Sequence, residues 1–141
     1  MSELYISIIL GHLMGDYLFQ TDAMALNKTK NTWLGWYYCF VHCAIYTMYI
    51  WLSCMCFADK NLSWFVLFLI FNSHFWIDKF SIGNFWMKWV KVGKGLKAII
   101  EDKNRDEVNL MFNVFVYCVV DNTLHLVLMF AIVKKMLEVN G

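Results

Sequence analysis

The sequence predicts an all-α chain, a four-helix transmembrane bundle with a basic amphipathic interfacial helix between its third and fourth spans. Three observations predict it. Of 141 residues 60% are hydrophobic and none is proline, more apolar surface than a soluble domain of this length can hide. Four long apolar runs alternate with polar or basic stretches, within a single domain over residues 1–141. All four histidines and three of the seven aspartates lie inside those runs, a placement that membrane helices tolerate only when such groups face a bundle interior.

The first run, about residues 4–19, follows Met-Ser-Glu rather than a cationic start and carries His12 and Asp16, which argues against a cleaved signal peptide. It is at the short end of the ~20 residues that cross a bilayer core. The second, about 32–57, is an almost unbroken series of aromatic and aliphatic residues with His42 its only strongly polar member. The third and fourth, about 62–82 and 108–133, are both long enough to span. Four spans put both termini on one side.

The connections differ in character. Residues 20–31 are polar, and a tight turn is expected at Asp59, Lys60 and Asn61. Residues 83–106 mix Phe85, Trp86 and Trp89 with Lys88, Lys91, Lys94 and Lys97, whose spacing of three makes one drifting stripe, the pattern of an interfacial amphipathic helix. Those lysines are expected to meet anionic lipid headgroups. Their density places this loop on the cytoplasmic side, of a bacterial inner membrane by expectation, and both termini outside. A net charge of +1, and tryptophans that suit a membrane anchor better than base stacking, give no expectation of nucleic acid as a partner. Five cysteines, odd in number and without CxxC spacing, read as small buried hydrophobes. Four short spans leave room for a homo-oligomer that closes a cavity.

The chemistry lies in a repeated spacing. His12 with Asp16, His74 with Asp78, and Asp121 with His125 are each four residues apart, so each pair shares a helix face. His42 is the fourth imidazole. Measured from the basic side at ~1.5 Å per residue, His12, His42 and His74 share one layer with Asp121 a little deeper, and Asp16 and Asp78 lie a turn nearer that side, as in a funnel. Asn109, Asn113, Tyr117, Asp121 and His125 continue a polar stripe that should line it. One His–Asp pair alone reads best as an interhelical hydrogen bond. Three pairs with a fourth histidine favour a metal or proton-relay site, with His12, Asp16, His42, His74, Asp78, Asp121 and His125 as candidate ligands. Mixed imidazole and carboxylate suits zinc, with manganese or iron as alternatives, and seven donors exceed one structural site, so one or two ions are expected. Lys79, beside Asp78, is expected to snorkel.

At Gly11–Lys28 (GHLMGDYLFQTDAMALNK), with His42, HFWID at His74–Asp78 and DNTLH at Asp121–His125, the chain resembles a family of small, uncharacterised membrane proteins of bacteria and their phages. Asn122 stands where that pattern has a glutamine. The HLMGDYLFQ stretch is also similar to a signature of the zinc-dependent phospholipase C and single-strand nuclease superfamily, which implies zinc ligation by His12 and Asp16. Resemblance to membrane-bound proteins classed as metal-dependent hydrolases points the same way.

The expected function is a membrane-embedded metal-dependent hydrolase of a phosphodiester or phosphoanhydride, such as a lipid headgroup, with His42 and Asp78 as catalytic candidates. A second expectation is a non-enzymatic membrane protein that excludes other phages or modulates a host membrane system, its polar core structural. A third is proton or metal-ion transport.

Overall fold

The structure, a computed structural model, describes residues 2–91, 96–101 and 107–140. Among them every regular element is helical. Helix α1 (Ser2–Leu13) runs into a π-helical turn at Met14–Leu18, closed by Phe19 N donating to Met14 O at 3.1 Å. A short α2 (Asp22–Asn27) follows, and then α3 (Trp33–Ala58), α4 (Trp64–Lys79), α5 (Ile82–Trp86) with a π turn at Met87–Lys91, α6 (Leu96–Ile100) and α7 (Glu107–Asn140).

The helix starts follow from side-chain chemistry. Thr21, Thr32 and Ser63 each accept a backbone N–H three residues on, which satisfies a donor that the first turn leaves open. Asp59 turns the chain out of α3 in the left-handed region.

The third apolar run is not one helix. Ser81 adopts φ 47°, and the segment Ile82–Val90 leaves the axis of Trp64–Lys79 by 49°. Where the sequence predicts a single interfacial helix over 83–106, the described parts are α5, its π turn and α6. Phe85, Lys88 and Trp89 are exposed there, the Lys88 ammonium 5.5 Å from the Trp89 ring centre. Lys94 lies outside the described residues, and of Lys91 and Lys97 only the backbone is described. The last helix runs to Asn140, beyond the expected end near 133, because Lys134, Lys135 and Glu138 are good helix formers.

Two helices, α3 and residues Glu107–Met136 of α7, are long and apolar enough to cross a membrane, and the bent pair makes a third if it counts as one span. Phe40, Phe57, Phe65, Phe68, Phe115 and Val127 point outward and are exposed, a surface that water does not tolerate and lipid does. The chain therefore has the character of a membrane protein.

Helix α3 is the hub: α1 and α4 pack on it, and α7 packs on α4 and more lightly on α1. Towards one end the four helices meet in an apolar core of Leu4, Ile8, Tyr46, Ile50, Cys54, Val66, Ile70, Met129 and Val133. Helix α1 reaches α3 through Gly11 and Gly15. A Cβ at Gly11 would stand 2.7 Å from Ile50 Cα and 2.8 Å from Tyr49 O, and one at Gly15 2.9 Å from Tyr46 Cα. This glycine-x-x-x-glycine spacing lets the two helices approach at the backbone.

Gly11→Ala should accordingly destabilise the protein by about 1–3 kcal/mol, because the neighbour that must move is backbone. Leu10→Ala, on the exposed face of the same turn, should stay within about 0.5 kcal/mol. Thermal unfolding in one detergent compares the two.

Candidate metal centre

Five helical segments deliver polar side chains to one buried point at the end of the bundle opposite that apolar core. The α1–α3 contact brings His12, fully buried, and the π turn presents Asp16. A π turn inserts one residue into a helix and recurs at functional sites because it re-aims a side chain. Helix α3 gives His42, α4 gives His74 and Asp78, and α7 gives Asp121 and His125.

Four donor atoms converge most closely. The Nε2 atoms of His42 and His74 are 3.0 Å apart, and Asp78 Oδ2 lies 3.1 Å from the first and 3.3 Å from the second. Asp16 Oδ1 lies 3.3 and 3.5 Å from the same two nitrogens. A tetrahedron of ligands bound at about 2.0 Å has edges of about 3.3 Å. Asp16 Oδ1 has no hydrogen-bond partner among the described residues, nor do His42 Nδ1, His74 Nδ1 and His125 Nε2. Buried polar atoms without partners are costly, and of these Asp16 Oδ1 and His125 Nε2 face the cluster as donors that fit a divalent cation. His74 is held by stacking on Tyr46, ring centres 3.6 Å apart.

On the α7 side, His125 Nε2 is 3.5 Å from Asp78 Oδ1, while His125 Nδ1 donates to the Asp121 backbone oxygen at 2.8 Å. Three groups of donors thus have ligand atoms within 4.8 Å of one another: Asp16, His74 and His125; His42, His74 and Asp78; and Asp78, Asp121 and His125. His12 belongs to none of them, because both its nitrogens are engaged. Nδ1 meets the Tyr46 hydroxyl at 2.9 Å and Asp16 Oδ2 at 3.3 Å, and Nε2 donates to Asn122 Oδ1 at 2.7 Å. Asn122 Nδ2 donates to the Cys118 carbonyl and the Tyr17 hydroxyl, which leaves its Oδ1 as the acceptor. His12 stands beside Asp16 at the edge of the cluster and is fixed there by Tyr46 and Asn122.

A cavity of about 430 Å³ adjoins the cluster, lined by Asp16, Gln20, Lys28, Tyr117, Asp121 and Asn122 among others. Of the polar stripe expected on α7, Tyr117 and Asp121 reach it; Asn109 is exposed elsewhere. Lys28 stands at the mouth, its ammonium donating to Asp78 Oδ2 at 2.6 Å and to Gln20 Oε1 at 3.4 Å. Burial pulls the Lys28 ammonium down, but the Asp78 carboxylate, with Asp16 and Asp121, leaves its pKa raised. It therefore stays charged.

Lys79 does not snorkel. Its buried ammonium donates to the carbonyls of Lys28 at 3.2 Å and Lys30 at 2.8 Å, and stands 4.3 Å from the centre of the Trp36 ring. It fixes the backbone that carries Lys28.

A profile of the family described as a protein of unknown function, DUF3307, matches residues 4–140, nearly the whole chain. The chain belongs to the DUF3307 family. No curated protein and no solved structure matches it. The match fixes a family and assigns no activity, so the chemistry of this DUF3307 protein rests on its geometry.

Sequence spacing alone points to seven site residues and misses three partners. Tyr46 stands four residues after His42 on the buried face of α3, a signal that helical periodicity carries. Spacing marks neither Lys28, which stands in a polar linker without period and enters only through the resembling stretch Gly11–Lys28, nor Lys79, since a lysine at a helix end ordinarily reaches for water.

Lys79→Met should lower stability by about 1–3 kcal/mol in thermal unfolding, since two backbone carbonyls lose a charged donor. Lys134→Met, at an exposed i,i+4 pair with Glu138, should change it by less than about 0.5 kcal/mol.

Proposed function

We propose that this DUF3307 protein is a membrane-embedded, metal-dependent hydrolase of a phosphodiester or phosphoanhydride, a lipid headgroup being the natural source of such a bond at this depth. In this reading α1, α3, the bent α4–α5 pair and α7 form the four-helix transmembrane bundle. The observation that carries it is the convergence of Asp16 Oδ1 and Asp78 Oδ2 on His42 Nε2 and His74 Nε2, each oxygen within 3.5 Å of both nitrogens, beside a polar cavity. A catalytic zinc keeps a position open for water, sometimes by expanding to five ligands, and the cavity beside the cluster gives water and substrate access to it.

A divalent ion in that set, zinc by ligand type and manganese or iron as alternatives, would polarise a phosphoryl oxygen and make water acidic enough to deliver hydroxide near neutral pH. His42 and Asp78 act there as ligands, since their Nε2 and Oδ2 face the same point as His74. The Lys28 ammonium meets the anionic phosphoryl oxygens entering from the cavity and offsets the charge that grows on them. As the water oxygen bonds to phosphorus, the Asp121 carboxylate on the cavity wall takes the water's proton. The bond from phosphorus to the leaving oxygen breaks, that oxygen keeps the electron pair, and the proton passes to it from Asp121.

The apolar core on the far side of the cluster argues against transport. Among the described residues, Leu4, Ile8, Ile50, Ile70, Met129 and Val133 pack across the bundle there and offer an ion little polar surface. A purely structural role for the polar cluster leaves Asp16 Oδ1 and His125 Nε2 without hydrogen-bond partners.

The test uses the full chain in detergent micelles with zinc or manganese, against bis(p-nitrophenyl) phosphate, p-nitrophenyl phosphate and a short-chain phospholipid. Expected are turnover lost on chelation and restored by metal, its loss in Asp16→Asn and Asp78→Asn, and a kcat about 10²- to 10³-fold lower in Lys28→Met. Activity unchanged in both aspartate variants, or no turnover of any phosphoester by metal-loaded protein, would overturn the reading.

A further inference from the structure

The four converging donors leave one side of the centre unexplained. Asp78 has two carboxylate oxygens, and only Oδ2 faces His42, His74 and Lys28. Oδ1 faces the other way, towards His125 Nε2 at 3.5 Å.

That contact is not a hydrogen bond. It is longer than the 2.7–3.2 Å such bonds adopt. His125 Nδ1 donates to the Asp121 carbonyl, which leaves Nε2 as the ring atom that faces the carboxylate. His125 is 3% exposed, and its Nε2 has no hydrogen-bond partner among the described residues. An unpartnered buried nitrogen 3.5 Å from a carboxylate oxygen is at a separation that suits two ligands on one ion. A third donor stands ready: Asp121, Asp78 and His125 bring ligand atoms within 4.8 Å of one another. The backbone of α5 makes room for it, because a Cβ on Gly83 would come within 2.6 Å of Asp121 Oδ1. Asp121 also lines the cavity, so water can complete the set.

We infer that the centre holds two divalent ions that share Asp78, the first completed by Asp16, His42 and His74 and the second by Asp121 and His125. The inference rests on the hydrolase reading for its chemistry but not for its test. Two-ion centres with ions about 3.5–4 Å apart are used where both the attacking and the leaving oxygen of a phosphoester need charge beside them. The second ion would stand on the cavity side, where a substrate enters. Asp121 would hold it through one oxygen and keep the other for the proton.

The experiment loads full-length protein in detergent micelles with Mn²⁺ alone, removes free metal, and measures manganese per chain by mass spectrometry together with the electron paramagnetic resonance spectrum. Expected are two equivalents with an exchange-coupled signal in the wild type. His125→Ala and the near-isosteric Asp121→Asn should each give one equivalent and an uncoupled six-line spectrum, with helix content unchanged by circular dichroism. One equivalent in the wild type, or two coupled ions retained in Asp121→Asn, would overturn the second site and leave a single-ion hydrolase standing. No bound manganese, zinc or iron in the wild type would overturn both.

Discussion

The packing of this protein is organised around the cost of holding carboxylates in an apolar bundle. Asp16 and Asp78 stand within 3.5 Å of the same two imidazole nitrogens, with Asp121 close behind. A charge at this depth is tolerated only if the groups around it are fixed and of the right sign. Much of the rest follows from that demand. The glycines of α1 allow the backbone approach that sets His12 and Asp16 against α3, Tyr46 braces both His12 and His74, and Lys79 ties down the linker so that Lys28 meets Asp78.

The two ends of the bundle answer this demand differently. One end is closed by aliphatic side chains, Cys54 and Tyr46, with no carboxylate, imidazole or amine among the core positions. The other opens through Gln20, Lys28, Tyr117 and Asp121. The polar cluster sits between them, so substrate and water reach it from one side. In the proposed reading that side also carries Phe85, Lys88 and Trp89, groups suited to the level of lipid headgroups, and a headgroup need travel only a short way to the donors.

Much of this was legible in the sequence because helices impose a period. His and Asp four apart must share a face, and with aliphatic and aromatic residues filling the other faces, the polar ones could only turn inward. The third run shows the limit. Its hydropathy continues past Lys79, and a single serine in a left-handed conformation, invisible to hydropathy, breaks it. The α1–α3 contact was equally readable as Gly11-x-x-x-Gly15, a small-residue signal that hydrophobic counting overlooks. His42, isolated among aromatics, has no carboxylate at helical spacing to mark it; its place at the centre comes from α4 packing on α3, a tertiary fact. Lys28 lies in a linker without period, and its position depends on the carbonyl contacts made by Lys79.

The π turn at Met14–Leu18 carries an implication about ancestry. Such a turn is an α-helix with one residue too many, so Asp16 owes its aim to the length of the chain and not to a choice of side chain. Removing one residue between His12 and Asp16 would swing the carboxylate by about 100° around the axis, and no exchange of one amino acid for another restores that angle. A lineage without the extra residue could acquire this centre only through an insertion, and one that lost it could not recover by substitution. Gaps at this turn should therefore separate relatives that keep the centre from those that have abandoned it.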